Sequence, residues 1–107
     1  MGASKPLEFL GSSRDDLRKF PTEVRRAIGA ELLRVQLGVM PTDFKPMPTV
    51  GKGVYEIRVR LDGAWRVFHV AKFDAAVYVL HAFQKKTQQT PKEDIDLAAK
   101  RYRMIGD

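Results

Sequence analysis

Apolar residues recur at spacings of three and four along residues 21–37, where Val24, Ala27, Ile28, Leu32 and Val35 fall on one stripe while Glu23, Arg25, Arg26 and Arg34 lie mostly elsewhere. That period predicts an amphipathic helix, with Gly38 as its C-cap. Residues 39–53 then hold Pro41, Pro46, Pro48, Gly51 and Gly53, neither helical nor strand period survives, and the segment reads as a loop of about fifteen residues. From Val54 the period changes to two. Val54–Arg60, Trp65–Ala71 and Val77–Phe83 read as strands rich in Val, Ile, Tyr and Phe, and Asp62-Gly63 and Phe73-Asp74 mark the turns of an antiparallel meander.

The flanks add shorter elements. Lys5 to Leu10 reads as an edge strand ended by Gly11, and Ser13 with Asp16 resembles a capping box opening a short helix that Pro21 interrupts. Thr90-Pro91-Lys92-Glu93 signals a final helix with Thr90 as N-cap, its inward stripe being Ile95, Ala98, Ala99 and Tyr102. The predicted class is α+β, a two-layer arrangement in which two N-terminal helices pack on an antiparallel β-sheet and a C-terminal helix completes the fold. At 107 residues a single domain over residues 1–107 is expected.

Composition narrows the chemistry. Nineteen Lys and Arg against thirteen Asp and Glu leave a net charge of +6, so an anionic partner is expected, nucleic acid first. Between residues 51 and 90 the count is seven bases against three acids, which puts most of the excess on the meander and the segment after it. The absence of cysteine excludes disulfides, thiolate metal sites and Cys nucleophiles. His, Asp and Glu never cluster at ligand spacing, and Gly51-Lys52-Gly53 precedes a strand rather than a helix, so neither a metal nor another cofactor is expected. The first ten residues lack a basic start followed by an apolar stretch, and no run approaches membrane-spanning length; a cytoplasmic protein with no membrane partner is expected.

Arg66 is the most informative residue, because it lies among apolar neighbours in Trp65-Arg66-Val67-Phe68, where an arginine needs a carboxylate, a carbonyl or an anionic ligand. Whether it shares a face with Arg58 depends on the hairpin turn. A two-residue Asp62-Gly63 loop would put the arginines on opposite faces. A three-residue loop that sets Leu61 opposite Trp65 would pair Arg66 with Arg60 and collect the cations on one face, leaving Ile57, Val59, Leu61, Trp65 and Val67 on the other; it is favoured because it segregates polarity better. Lys85 and Lys86 leave the third strand nearby, with Phe83 available to stack a base and with Arg60 and Lys52 as further RNA contacts. Such a group of cations suits a phosphodiester, whose displacement builds negative charge. In RNA the 2′-OH is itself a nucleophile, so cleavage needs only a base, an acid and charge stabilisation, and a lysine crowded by cations is suited to proton transfer. His69 and His81, both inside predicted strands, read more readily as packed residues than as catalysts.

The series Gly53-Val54-Tyr55-Glu56-Ile57-Arg58, Trp65-Arg66-Val67-Phe68 and Leu80-His81-Ala82-Phe83-Gln84-Lys85-Lys86-Thr87-Gln88-Gln89-Thr90-Pro91, with Ile95 and Ala98 beyond it, resembles the HigB-like, phage-derived branch of the RelE/ParE toxin superfamily over nearly the whole chain. The resemblance implies the toxin of a type II toxin–antitoxin system, acting as a ribosome-dependent, metal-independent mRNA endonuclease that inhibits translation. It implies as partners the ribosome with its message and a cognate antitoxin, expected as a helix-turn-helix protein from the neighbouring gene. Catalytic positions carried over are Arg58, Arg66 and Lys86, with Lys85 and Phe83 flanking. The chain departs from the RelE pattern in two places. Thr87-Gln88-Gln89-Thr90 offers no match to the RelE tyrosine, and Glu56 stands where RelE members tend to have a base. ParE members share the fold but inhibit DNA gyrase, which leaves gyrase inhibition, and beyond it plain RNA binding, as alternatives.

Overall fold

A computed structural model describes residues 4–106. Met1 to Ala3, the start of the stretch read for a leader, lie outside the described residues. The elements are β1 (Leu7–Phe9), α1 (Ser13–Arg18), α2 (Thr22–Gln36), β2 (Phe44–Pro46), β3 (Val54–Arg60), β4 (Ala64–Val70), β5 (Val77–Lys85) and α3 (Lys92–Met104). The strands form one five-stranded sheet in the order β1-β5-β4-β3-β2. The class is α+β, as expected, and the β3-β4-β5 meander is present. The sheet is mixed rather than purely antiparallel, because β1 pairs with β5 in parallel through Leu7 and Val77, Glu8 and Tyr78, and Phe9 and Val79.

The alternation along β3 builds two cores instead of one. Ile57 faces the same side as Val67 and Trp65, where the α2 stripe of Val24, Ile28 and Leu32 covers them. On the opposite side Val54, Phe68, Val70, Leu80 and Phe83 pack with Met47, Val50 and Ala98 of α3. Helices therefore cover both sides, and the expected two layers are three. A regular period-two strand would have kept Leu80 and His81 on opposite sides. The pairing slips between Phe68, opposite His81, and His69, opposite Val79, so one extra β5 residue is accommodated there and Leu80 enters the α3-side core.

Helix ends follow backbone economy. Gly38, at φ 84°, donates its N–H to Val35, and Val39 donates to Arg34, which together form the expected glycine cap of α2. Two N-caps differ from expectation. Ser12, not Ser13, precedes α1, because the Ser13 hydroxyl is buried and donates to the Val79 carbonyl at 3.2 Å. Pro91 precedes α3, and its carbonyl accepts from Asp94 and Ile95. The stretch read as an unstructured loop contains β2, whose Lys45 stands opposite Glu56. Proline is tolerated there because β2 is an edge strand.

α3 is held to the sheet by buried Arg101, whose guanidinium donates to the Leu80 carbonyl at 3.0 Å and to the Ser12 hydroxyl at 3.1 Å. Tyr102 donates its hydroxyl to the Lys52 carbonyl, and its ring lies so close to Gly51 that a Cβ there would sit 2.6 Å from it. These ties fix the C-terminal end of α3 against β5 and the segment before β3, while Asp94, near its start, meets His81 of β5. Among the described residues no helix is long and apolar enough to cross a membrane, and no group of three His, Cys, Asp or Glu could hold a metal ion.

Candidate phosphodiester-binding cleft

The β3–β4 turn is Leu61-Asp62-Gly63, with Asp62 at φ 50° and Gly63 at φ 137°, so Arg60 pairs with Ala64 and Arg58 with Arg66. The turn has three residues, as favoured, but starts one residue earlier than expected and shifts the pairing by two. The shift preserves the sides: the cations share one side of the sheet and Ile57, Val59, Trp65 and Val67 share the other. It changes the neighbours, since two guanidinium residues now face each other directly. Like charges in that relation repel.

Glu56 offsets the repulsion. Its Oε1 lies 3.6 Å from the Arg66 Nε and 3.9 Å from the Arg58 Nε. Arg66 and Glu56 are each only 3% exposed. Arg66 also donates from Nη1 to the Trp65 carbonyl at 3.0 Å, so it finds both a carboxylate and a carbonyl, as its apolar surroundings demand. Burial raises the Glu56 carboxyl above its ordinary value, against the opposing pull of Arg66, Arg58, Lys85 and Lys45. Burial likewise lowers Arg66, with Glu56 the principal opposing influence. Three polar atoms in the group, Glu56 Oε2 and the Nε atoms of Arg58 and Arg66, have no hydrogen-bond partner.

The group borders a cleft of about 500 Å³ between β2, β3, the end of β5 and the start of α3. Lys45, Glu56, Arg58 and Lys85 supply its charged walls, while Gln88, Gln89 and Thr90 form a polar rim against Ile95. Of the cations expected from the sequence, Arg58 and Lys85 line the cleft and Arg66 stands behind it. Lys86 is exposed and does not line it, since β5 ends at Lys85 and the chain turns away. Arg60 is exposed on the same side of β3, nearer the turn, whereas Lys52 lies beyond the opposite end of that strand. Phe83, expected to stack a base, is instead buried: its ring stacks on His81 with centroids 4.9 Å apart and meets Phe68 edge-on at 5.3 Å. His81 is likewise committed within the fold, with Nε2 at 2.6 Å from Asp94 Oδ1 on α3.

Sequence reasoning missed two of the charged cleft residues. Lys45 was hidden in the proline-rich segment. Glu56 was visible through its alternation with Arg58, and was noted only as a departure.

Residues 15–103 match the family model described as "Phage derived protein Gp49-like (DUF891)". The chain belongs to the Gp49-like phage-derived family. The match spans every element that builds the cleft. Among solved structures, this Gp49-like chain is similar to a chain of the toxin–antitoxin complex RelBE2 from Mycobacterium tuberculosis, at 20% identity and a TM-score of 0.51, over 78% of this chain and 100% of that one. That likeness concerns the fold. No curated protein matches the sequence.

Proposed function

We propose that this chain, as one domain over residues 1–107, is the toxin of a type II toxin–antitoxin pair and cleaves messenger RNA through attack by its 2′-OH, on the ribosome and in the cytoplasm. The observation carrying this reading is the directly paired Arg58 and Arg66, with Lys85 beside them, at a cleft whose walls carry more positive than negative charge. A phosphate seated there would have its developing negative charge met by cations already fixed in place, the arrangement that lowers a phosphoryl-transfer barrier. Arg60, Lys86 and Lys52 would follow the RNA backbone outside the cleft. Phe83 supports Arg66 from the neighbouring strand. The Gp49-like match and a fold shared with a chain of a toxin–antitoxin complex support the toxin reading, and with it an antitoxin, in our view a helix-turn-helix protein from an adjacent reading frame.

Arg58 offers the cleaner mutational test, because it is partly exposed while Arg66 is buried. Induction of the wild-type chain followed by 5′-end sequencing of cellular RNA is expected to show cuts within translated codons. Arg58→Ala should reduce their frequency roughly 100- to 1,000-fold, the typical loss on removing one charge-stabilising donor, and relieve growth arrest. Intact messages with an SOS response would overturn the reading in favour of gyrase inhibition. Salt-sensitive RNA binding without cuts or growth arrest would reduce the chain to a binding module.

A further inference from the structure

A 2′-OH cannot attack until its proton has somewhere to go, and among the described side chains lining the cleft the choice is narrow. Lys45, Arg58 and Lys85 are cations and proton donors; Gln88, Gln89, Thr49 and Thr90 have amide and hydroxyl groups that do not take up a proton near neutrality. His81 is turned to Asp94, and Tyr55 faces the other side of the sheet, opposite His69. One carboxylate remains. Resting on the nuclease reading above, we infer that Glu56 is the general base of the reaction, accepting the 2′-OH proton on its unpartnered Oε2 while Oε1 stays between the two arginines.

The division of the carboxylate supports this role. Oε1 faces Arg66 and Arg58, whereas Oε2 has no hydrogen-bond partner although it is buried. A buried acceptor without a partner is costly and rare, and a substrate hydroxyl would satisfy it. The charged groups facing Glu56 are Arg58 on its own strand, Arg66 on β4, Lys45 on β2 and Lys85 at the end of β5; α3 contributes Ile95 to the cleft. Burial outweighs these cations and raises the carboxyl, which makes its conjugate a stronger base than an exposed glutamate.

The step balances within the cleft. The Glu56 carboxylate takes the proton from the 2′-OH, the freed O2′ electron pair forms the O2′–P bond, and the P–O5′ bond breaks with its electron pair moving to O5′. The Lys85 ammonium supplies the proton that leaves O5′ as a hydroxyl. The products are a 2′,3′-cyclic phosphate and a 5′-hydroxyl end, and exchange with water restores Glu56 and Lys85. Arg58 and Arg66 oppose the charge gathering on the non-bridging oxygens.

Single-turnover cleavage of a defined message on programmed ribosomes tests the assignment, using wild type, Glu56→Gln and Glu56→Asp. Glu56→Gln should lower the cleavage rate about 100- to 10,000-fold, as for other general bases, while complex affinity changes less than about threefold. Glu56→Asp should retain part of the activity. The wild-type rate should fall as pH drops through the raised Glu56 value, and this limb should vanish in the residual activity of Glu56→Gln. Circular dichroism establishes that the variants fold; if Glu56→Gln does not, the wild-type profile decides. A Glu56→Gln rate within about threefold of wild type, or a flat wild-type acid limb, overturns the inference and leaves the nuclease reading standing. A wild-type chain that cuts nothing overturns both.

Discussion

Tyr55 and Glu56 are neighbours on β3, yet they open onto two different cavities on opposite sides of the sheet. The Glu56 cleft has a volume of about 500 Å³; the other cavity, about 530 Å³, is lined by Tyr55 and His69 with Leu37, Val39, Met40 and Ala71 among its apolar walls. Size does not distinguish them. Each holds one almost fully buried titratable residue with an unpartnered atom, Glu56 Oε2 in one and His69 Nδ1 in the other. Burial drives both toward the neutral form, raising Glu56 and lowering His69 to about 4. The difference is in what opposes burial. Four cations pull Glu56 toward its charged form, whereas for His69 only the neighbouring Tyr55 backbone opposes the effect of burial. A ring of opposite charge, rather than volume or burial, sets the Glu56 cleft apart from the His69 cavity.

The strongest way to break this contrast is to remove the cation nearest the carboxylate. Arg66→Ala would leave buried Glu56 with Arg58 as its one remaining ion-pair partner among the described residues and delete the bond to the Trp65 carbonyl. Stripping one partner from a buried pair costs about 3–5 kcal/mol, and chemical denaturation should read that loss at neutral pH. Lowering the pH should recover part of it, because protonation removes the uncompensated charge. A variant as stable as wild type would mean that Arg66 and Glu56 are not coupled. Because Arg66 is structural as well as cationic, its inactivation alone cannot identify a catalytic role.

The second cavity provides the counterpart. His69 has a folded pKa of about 4, below its ordinary 6.5, so between those values the unfolded chain binds more protons and stability rises with pH. Its contribution is complete above pH 6.5 and is lost as pH falls through 4. At pH 4.5 wild type should have lost about 2–3 kcal/mol through this residue relative to pH 7. His69→Gln, which cannot ionise, should lack that part of the loss in paired urea titrations. Glu56 acts in the opposite sense, since a raised carboxyl favours the folded state as pH falls, so the difference between wild type and variant is the quantity to measure. Identical pH dependence in both would show that His69 is not held neutral.

Strand alternation made the sides of β3 and β4 legible before any coordinates, because parity survives a register shift of two residues. The register itself was not legible: a two-residue loop at Asp62-Gly63 and a three-residue loop setting Leu61 opposite Trp65 were the readings open, and the observed turn, with Asp62 at φ 50° and Gly63 at φ 137°, starts at Leu61 instead. β2 was obscured by the prolines around it; of these only Pro46 lies in the strand, where an edge position makes its missing N–H harmless. The parallel pairing of β1 depends on a partner some seventy residues away, which local periodicity cannot encode. For the site, alternation placed Glu56 beside Arg58, but a carboxylate in a basic strand has the pattern of a solvated face. Only its burial and the convergence of Lys45 and Lys85 from other strands reveal a cleft wall. Phe83 shows the reverse error, since an aromatic near cations suggested stacking on a base and is consumed by His81 and Phe68.

The smallest expected effect concerns the paired lysines, of which the resemblance carried over Lys86 as the catalytic position with Lys85 flanking it. Lys85 lines the cleft, whereas Lys86 is exposed beyond the strand end. Lys86→Ala should leave stability within about 0.5 kcal/mol of wild type, as surface substitutions do. If Lys86 touches only the RNA backbone, its loss should lower the salt slope of RNA binding by about one, with little change in the cleavage rate of the bound complex. Lys85→Ala should slow that bound-state rate, because the O5′ leaving group loses its proton donor. Affinity measured against salt concentration, together with single-turnover rates at saturating protein, separates the two. Equal rate losses for both variants would mean that RNA binding draws the segment after β5 inward until Lys86 joins the cleft, and the division between wall and rim would have to be redrawn around the bound state.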